Sequence, residues 1–74
     1  MPKLPILSAK ELVKIFEKAG YFSVRQKGSH IRMHCEKKDP ITIPNHKIIG
    51  RGLLKKILRD SKVSVDELIK LIRK

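Results

Sequence analysis

The apolar residues of this chain change their spacing twice, and that limits the folds open to it. Leu12, Ile15, Phe16 and Ala19 fall on one helical face. After Gly20 the pattern switches to alternation: Ile31, Met33 and Cys35 take one side of an extended segment, and His30, Arg32, His34 and Glu36 take the other. Helical spacing returns with Leu53, Leu54, Ile57 and Leu58, and again with Val65, Leu68, Ile69 and Ile72. The order predicted is α-β-β-β-α-(α), an α+β domain. In so short a chain the helices can cover only one face of a three-stranded antiparallel sheet. His30, Arg32 and His34 are then left on the uncovered side.

Local signals place the boundaries. Leu7-Ser8-Ala9-Lys10-Glu11-Leu12 contains a capping box, Ser8 with Glu11, and the staple pair Leu7 and Leu12. The first helix is predicted over 8–19, ended by Gly20. A first strand follows over 21–27, and Gly28-Ser29 reads as a short turn. The second strand runs from His30, and residues 36–40 read as a polar turn. Ile41-Thr42-Ile43 is a short third strand stopped by Pro44. After a loop over 44–52, a second helix is predicted over 53–60. A second capping box, Ser64 with Glu67, opens a third helix that runs to Lys74.

Composition narrows the function. The 74 residues carry a formal net charge of +11. Residues 21–59 hold ten Lys/Arg against two Asp/Glu, so the excess is central. A basic centre attracts nucleic acid, and a solvated lysine-rich surface is the ordinary alternative. A single cysteine excludes an internal disulfide. No apolar run is long enough to span a bilayer, so no membrane association is expected. The opening Met1-Pro2-Lys3-Leu4-Pro5 has no signal-peptide core, and a cytoplasmic protein is expected. The length predicts one domain over 1–74.

The chemistry-bearing stretch is Lys27-Gly28-Ser29-His30. Its tight basic turn delivers a histidine to the start of a strand. Cleaving RNA without metal needs a group to deprotonate the 2′-hydroxyl, positive charge on the phosphate oxygens and an acid for the leaving oxygen. Histidine suits the first and last tasks, and lysine or arginine the second. His30 is the candidate base or acid. Lys27, Arg32 and Arg25 are candidate phosphate contacts, with Gly28 allowing close backbone approach and Ser29 able to donate. Each also has an ordinary reading as exposed polar surface. His34 is either a second phosphate contact or solvated decoration. His46 is either a functional partner or a loop hydrogen-bonder. Cys35 reads as a small apolar-face thiol. No metal-ligand spacing and no phosphate-binding glycine loop occurs, so no metal and no cofactor is expected.

With these residues in view, the chain resembles a HicA-type toxin, the small ribonuclease of a toxin–antitoxin pair. The resemblance rests on Arg25-Gln26-Lys27-Gly28-Ser29-His30, Ile41-Thr42-Ile43-Pro44-Asn45-His46 and Gly52-Leu53-Leu54-Lys55-Lys56-Ile57-Leu58. It implies a fold like the double-stranded-RNA-binding domain and endonuclease cleavage of mRNA without a metal. It implies His30 as the catalytic histidine, His46 at a recurring family position and a HicB-type antitoxin as partner. The family usually opens its second helix with Gly-Thr-Leu; here Leu53 replaces the threonine, leaving Gly52 as the expected cap. Two other readings stay open on the residues alone. One is an RNA-binding module without catalysis. The other, weaker, is DNA recognition through the last two helices, whose third begins with Asp66 and Glu67 and meets phosphate poorly.

Overall fold

In the computed structural model, which describes residues 4–73, the first helix begins where its cap predicts. Helix α1 spans Ala9–Lys18. The Glu11 N–H donates to Ser8 Oγ at 3.2 Å, and the Ser8 N–H donates to Glu11 Oε1 at 3.0 Å. The backbone and hydroxyl of Ser8, in that order, hold the Glu11 carboxyl below its ordinary range. At the other end Gly20 takes φ 101°. Its N–H donates to the Glu17 carbonyl at 3.1 Å, and that of Tyr21 to the Phe16 carbonyl at 3.0 Å. This glycine-closed Schellman motif sends the chain back toward the sheet.

Strands β1 (Phe22–Lys27), β2 (His30–Cys35) and β3 (Lys38–Pro44) form an antiparallel sheet in the order β1-β2-β3. Two departures from simple alternation matter. The first is on β1, where the register shifts between Ser23 and Arg25, leaving Val24 as an extra residue opposite β2. The second concerns the expected turn over 36–40, which is shorter: only Glu36-Lys37 turn, and β3 already begins at Lys38. The pairing moves from Met33↔Ile41 to Cys35↔Lys38, so Asp39 and Pro40 share one bulged step. Proline is tolerated there because β3 is an edge strand and a bulge frees its nitrogen from the ladder.

Helix α2 spans Arg51–Ser61, two residues longer at its start than expected. Gly50, not Gly52, is the cap: the Leu54 N–H donates to the Gly50 carbonyl at 2.9 Å, and no side chain assists. The reason lies one residue earlier. Ile49 is fully buried, and its N–H donates to the Leu7 carbonyl at 2.6 Å, so the chain has turned before Gly50. Helix α3 spans Val65–Arg73, and its expected end at Lys74 lies outside the described residues. Ser64 Oγ accepts from the Glu67 N–H at 3.1 Å, while the Glu67 carboxylate reaches toward Lys38 Nζ at 3.9 Å.

The helices and the inner sheet face share one core. Leu12, Phe16, Met33, Ile41, Ile43, Ile49, Leu54 and Leu68 are fully buried. Tyr21 is buried with its hydroxyl donating to the Asp39 carbonyl at 2.8 Å, and its ring stands edge-on to Phe16 with centroids 5.3 Å apart. Burial pushes the Tyr21 phenol pKa up. No helix among the described residues is long and apolar enough to cross a membrane.

The end of α2 repeats the closure of α1 without its glycine. The Val63 N–H donates to the Leu58 carbonyl at 3.2 Å, and that of Lys62 to the Arg59 carbonyl at 3.3 Å. Lys62 occupies the left-handed position at φ 59°. A side chain there meets its own backbone, a strain of about 1 kcal/mol. Lys62→Gly should therefore raise the unfolding free energy by roughly 0.5–1 kcal/mol in urea titration, with Lys62→Ala near neutral; its exposed ion pair with Asp39 at 3.8 Å contributes little. The Glu11 carboxyl supplies a pH dependence. Folding lowers its pKa, so its contribution is present above the ordinary carboxylate range and is lost as pH falls through the folded value. Glu11→Gln should lower the melting temperature at neutral pH, and its difference from the parent chain should shrink as the medium is acidified below about pH 4.

Candidate active site

The β1–β2 hairpin positions the site. Lys27 pairs with His30 across a two-residue turn, Gly28-Ser29. Gly28 takes φ 58°, and Ser29 does not adopt a positive φ. A left-handed first turn residue gives the twist that a two-residue hairpin requires, which is why glycine stands there. Open space surrounds the place where a Gly28 side chain would sit, so the constraint is conformational and not steric.

The turn is tied from behind. The Ser29 carbonyl accepts from the Asn45 N–H at 2.6 Å, the His46 N–H donates to the Pro44 carbonyl at 2.8 Å, and the His46 carbonyl accepts from the Ala9 N–H at 3.0 Å. The loop after β3 thus links the start of α1 to the histidine-bearing turn through backbone groups alone.

His30, Arg32 and His34 are exposed, while Met33 between them is fully buried and Ile31 and Cys35 are half-buried. The cross-strand neighbours of the exposed residues are Lys27 for His30, Arg25 and Thr42 for Arg32, and Phe22 for His34. The extra residue Val24 has a consequence here. In unbroken alternation Phe22 and Arg25, three residues apart, would point to opposite faces; the bulge at Val24 puts both on the open side with Lys27. Arg25, Lys27, His30, Arg32, His34, Val24 and Thr42 together line a hollow of about 450 Å³ with no carboxylate in its wall. Arg32 Nη1 donates to Thr42 Oγ1 at 2.9 Å, which holds the guanidinium over the sheet. Arg25 and Arg32 stand directly opposite each other, an arrangement that costs about 0.2–1 kcal/mol in the free protein and that a bound anion relieves.

Of the residues the sequence points to, Lys27, His30, Arg32 and Arg25 come together around this hollow, with Gly28 and Ser29 forming the exposed turn beside it. His46 does not join them. Its side chain is exposed and lines a separate hollow with Ser8, Lys10, Asn45 and Lys47, at the start of α1. Sequence reasoning missed Thr42, Lys56 and Asp60. The last two reach His30 and Arg32 from across β3, because α2 packs alongside that strand and walls a second cleft. Nothing in the helical periodicity says which polar residues of α2 face the sheet's open side. Only the way α2 lies against β3 decides that. Among the described residues no three His, Cys, Asp or Glu side chains gather as a metal ion would need.

The arrangement is a cationic, imidazole-bearing hollow suited to a phosphodiester. A family model described as the HicA toxin of bacterial toxin–antitoxin matches residues 9–63. A chain from a solved toxin–antitoxin complex of Streptococcus pneumoniae superposes with a TM-score of 0.68 at 31% identity, over 77% of this chain and 98% of that one. A comparison with curated proteins gives no match. The family match takes in α1, the whole sheet with its Gly28-Ser29 turn, and α2, and the chain belongs to the HicA family of toxins.

Proposed function

We propose that this toxin is an endoribonuclease that cleaves mRNA, with His30 moving the proton. In this reaction the 2′-oxygen attacks the adjacent phosphorus and the bond to the 5′-oxygen breaks. The products are a 2′,3′-cyclic phosphate and a free 5′-hydroxyl. One proton leaves the 2′-hydroxyl and one arrives at the departing 5′-oxygen, and no metal is required by that balance. Imidazole is the side chain that exchanges protons most readily near neutrality. Lys27 flanks His30 across the strands and Arg32 along its own strand, and Arg25 faces Arg32, so negative charge building on the phosphate oxygens meets fixed cations. The exposed turn at Gly28-Ser29 leaves room for a sugar-phosphate chain to approach.

The observation that carries the reading is the outward imidazole of His30, beside Lys27 and the Gly28-Ser29 turn, in a carboxylate-free basic hollow that His34 also lines. The family and the toxin–antitoxin complex matched in structure support a HicB-type antitoxin as the physiological partner, one that would lay acidic groups on the basic sheet face and shut off His30. Binding of RNA without cleavage is the other use of such a face, and the same experiment separates the two.

Labelled RNA incubated with the protein in EDTA should yield fragments ending in cyclic phosphate. His30→Ala should reduce the rate by about 10²–10⁴-fold, the range for loss of a general acid or base, and should relieve growth arrest in cells. Unchanged cleavage by a folded His30→Ala protein refutes the assignment, and binding without fragments by the parent chain leaves only the binding module. Lys27→Ala and Arg32→Ala should weaken binding to single-stranded RNA. Each should also flatten the plot of log affinity against log salt by about 0.7, the share of one phosphate contact.

A further inference from the structure

We propose that the cleft between β3 and α2 is a nucleobase subsite that favours guanine, with Asp60 as the residue that reads it. The inference rests on the RNA-cleaving reading above. The cleft is lined by His30, Arg32 and Thr42 from the sheet side and by Lys56 and Asp60 from α2, over an apolar floor that includes Ile57. It therefore shares His30 and Arg32 with the basic hollow but differs from it in character. Pro40, Pro44 and Leu53 add flat or aliphatic surface, and Ile41 and Ile57 close the bottom at 2% and 3% exposure.

Such a floor suits a planar base, and the Asp60 end of the rim disfavours a second phosphate. Asp60 is the carboxylate in this lining, and a carboxylate beside a phosphodiester is repulsive. Among the described residues Asp60 makes no ion pair; the two that form join Lys38 with Glu67 and Lys62 with Asp39. Its oxygens are therefore free to accept. Lys56, one helical turn earlier, lines the same cleft and offers a donor beside that acceptor.

Placement along the sheet is also apt. Helix α2 follows β3 after a short loop and packs back along it, so Leu53 lies toward the Pro44 end and Asp60 toward the Pro40 end. His30 pairs with Pro44. At about 3.3 Å per strand residue the two ends of the cleft are on the order of 10 Å apart, the reach of a nucleotide from its phosphate to its base edge. A phosphate at His30 and Arg32 thus carries its neighbouring base into the cleft.

The choice among bases follows from their Watson–Crick edges, the edges that proteins read on unstacked RNA. Guanine sets N1–H and N2–H side by side, which two carboxylate oxygens accept together, and places O6 next to them for the Lys56 ammonium. Adenine and cytosine set one amino donor beside a ring nitrogen lone pair, which opposes the second oxygen. Uracil offers one N–H between two carbonyls.

The test is end-mapping of the fragments that the protein makes from a randomised single-stranded RNA, for the parent chain, Asp60→Asn and Asp60→Ala. The parent chain should enrich guanine about tenfold over uracil at one position next to the broken bond, the scale of one specific bidentate base contact. Both Asp60 variants should still produce fragments but lose that enrichment; Asp60 is exposed, and unchanged melting temperatures will show the variants folded. Cleavage by the parent chain without guanine enrichment, or enrichment that survives in Asp60→Asn, overturns the subsite and leaves the nuclease intact. Absence of fragments from the parent chain removes the nuclease and the subsite together.

Discussion

Met33 has no exposed surface, and its burial in the middle of β2 is the constraint on which the site depends. A strand shows successive side chains to opposite faces, so fixing Met33 against the helices fixes His30, Arg32 and His34 away from them. A slip of one residue would bury two histidines and an arginine and expose a methionine. Three apolar side chains oppose that slip from the neighbouring elements: Ile41 and Ile43 on β3 and Phe16 on α1, all at 2% exposure or less. The outward imidazole is thus held by the hydrophobic core and not by polar contacts of its own.

The cost of the site is electrostatic and is confined to the open face. Arg25 opposite Arg32, with Lys27 beside His30, concentrates positive charge on strands whose inner surfaces are apolar. No carboxylate lines that hollow to neutralise it. Acidic residues instead sit elsewhere: Glu11 in a capping box, Glu67 and Asp39 against lysines, and Asp60 on the far wall of the neighbouring cleft. A small domain has little stability to spare, so repulsion retained on one face argues for an anion that is present when the protein works. Separation of the charges also gives the two hollows different character, one basic throughout and one with a carboxylate beside a lysine.

Much of this was legible in the residues, and the parts that were not share a cause. Ser8 with Glu11, Gly20 and Gly28 act through bonds to residues within a few positions, and each sits where its local chemistry predicts. The alternation of β2 was legible because one of its faces is covered and the other is not. The bulges at Val24 and at Asp39-Pro40 were not, since each answers to a partner strand. Pro40 reads as a turn residue until an edge position and a register shift make its missing N–H harmless. Gly52 reads as the cap of α2 until the bridge between Leu7 and Ile49 turns the chain earlier, at Gly50. Lys56 and Asp60 belong to the same class, because only the lie of α2 against β3 brings them beside His30.

His46 shows how a position can be constrained without its side chain entering the chemistry next door. Its carbonyl takes the Ala9 N–H and its neighbour Asn45 holds the Ser29 carbonyl, so the loop joins α1 to the Gly28-Ser29 turn by main-chain bonds that do not depend on the side chains. The Ala9 N–H is one of the helix donors left without an intrahelical partner, and the Ser29 carbonyl would otherwise point from a two-residue turn into water. Satisfying both with one short loop sets the height of the Gly28-Ser29 turn relative to the helical layer. The imidazole of His46 then faces Ser8, Lys10 and Lys47, on the other side of that loop from His30. The turn before His30 is therefore tied by the backbone of the segment that contains His46, while the two imidazoles lie on separate surfaces.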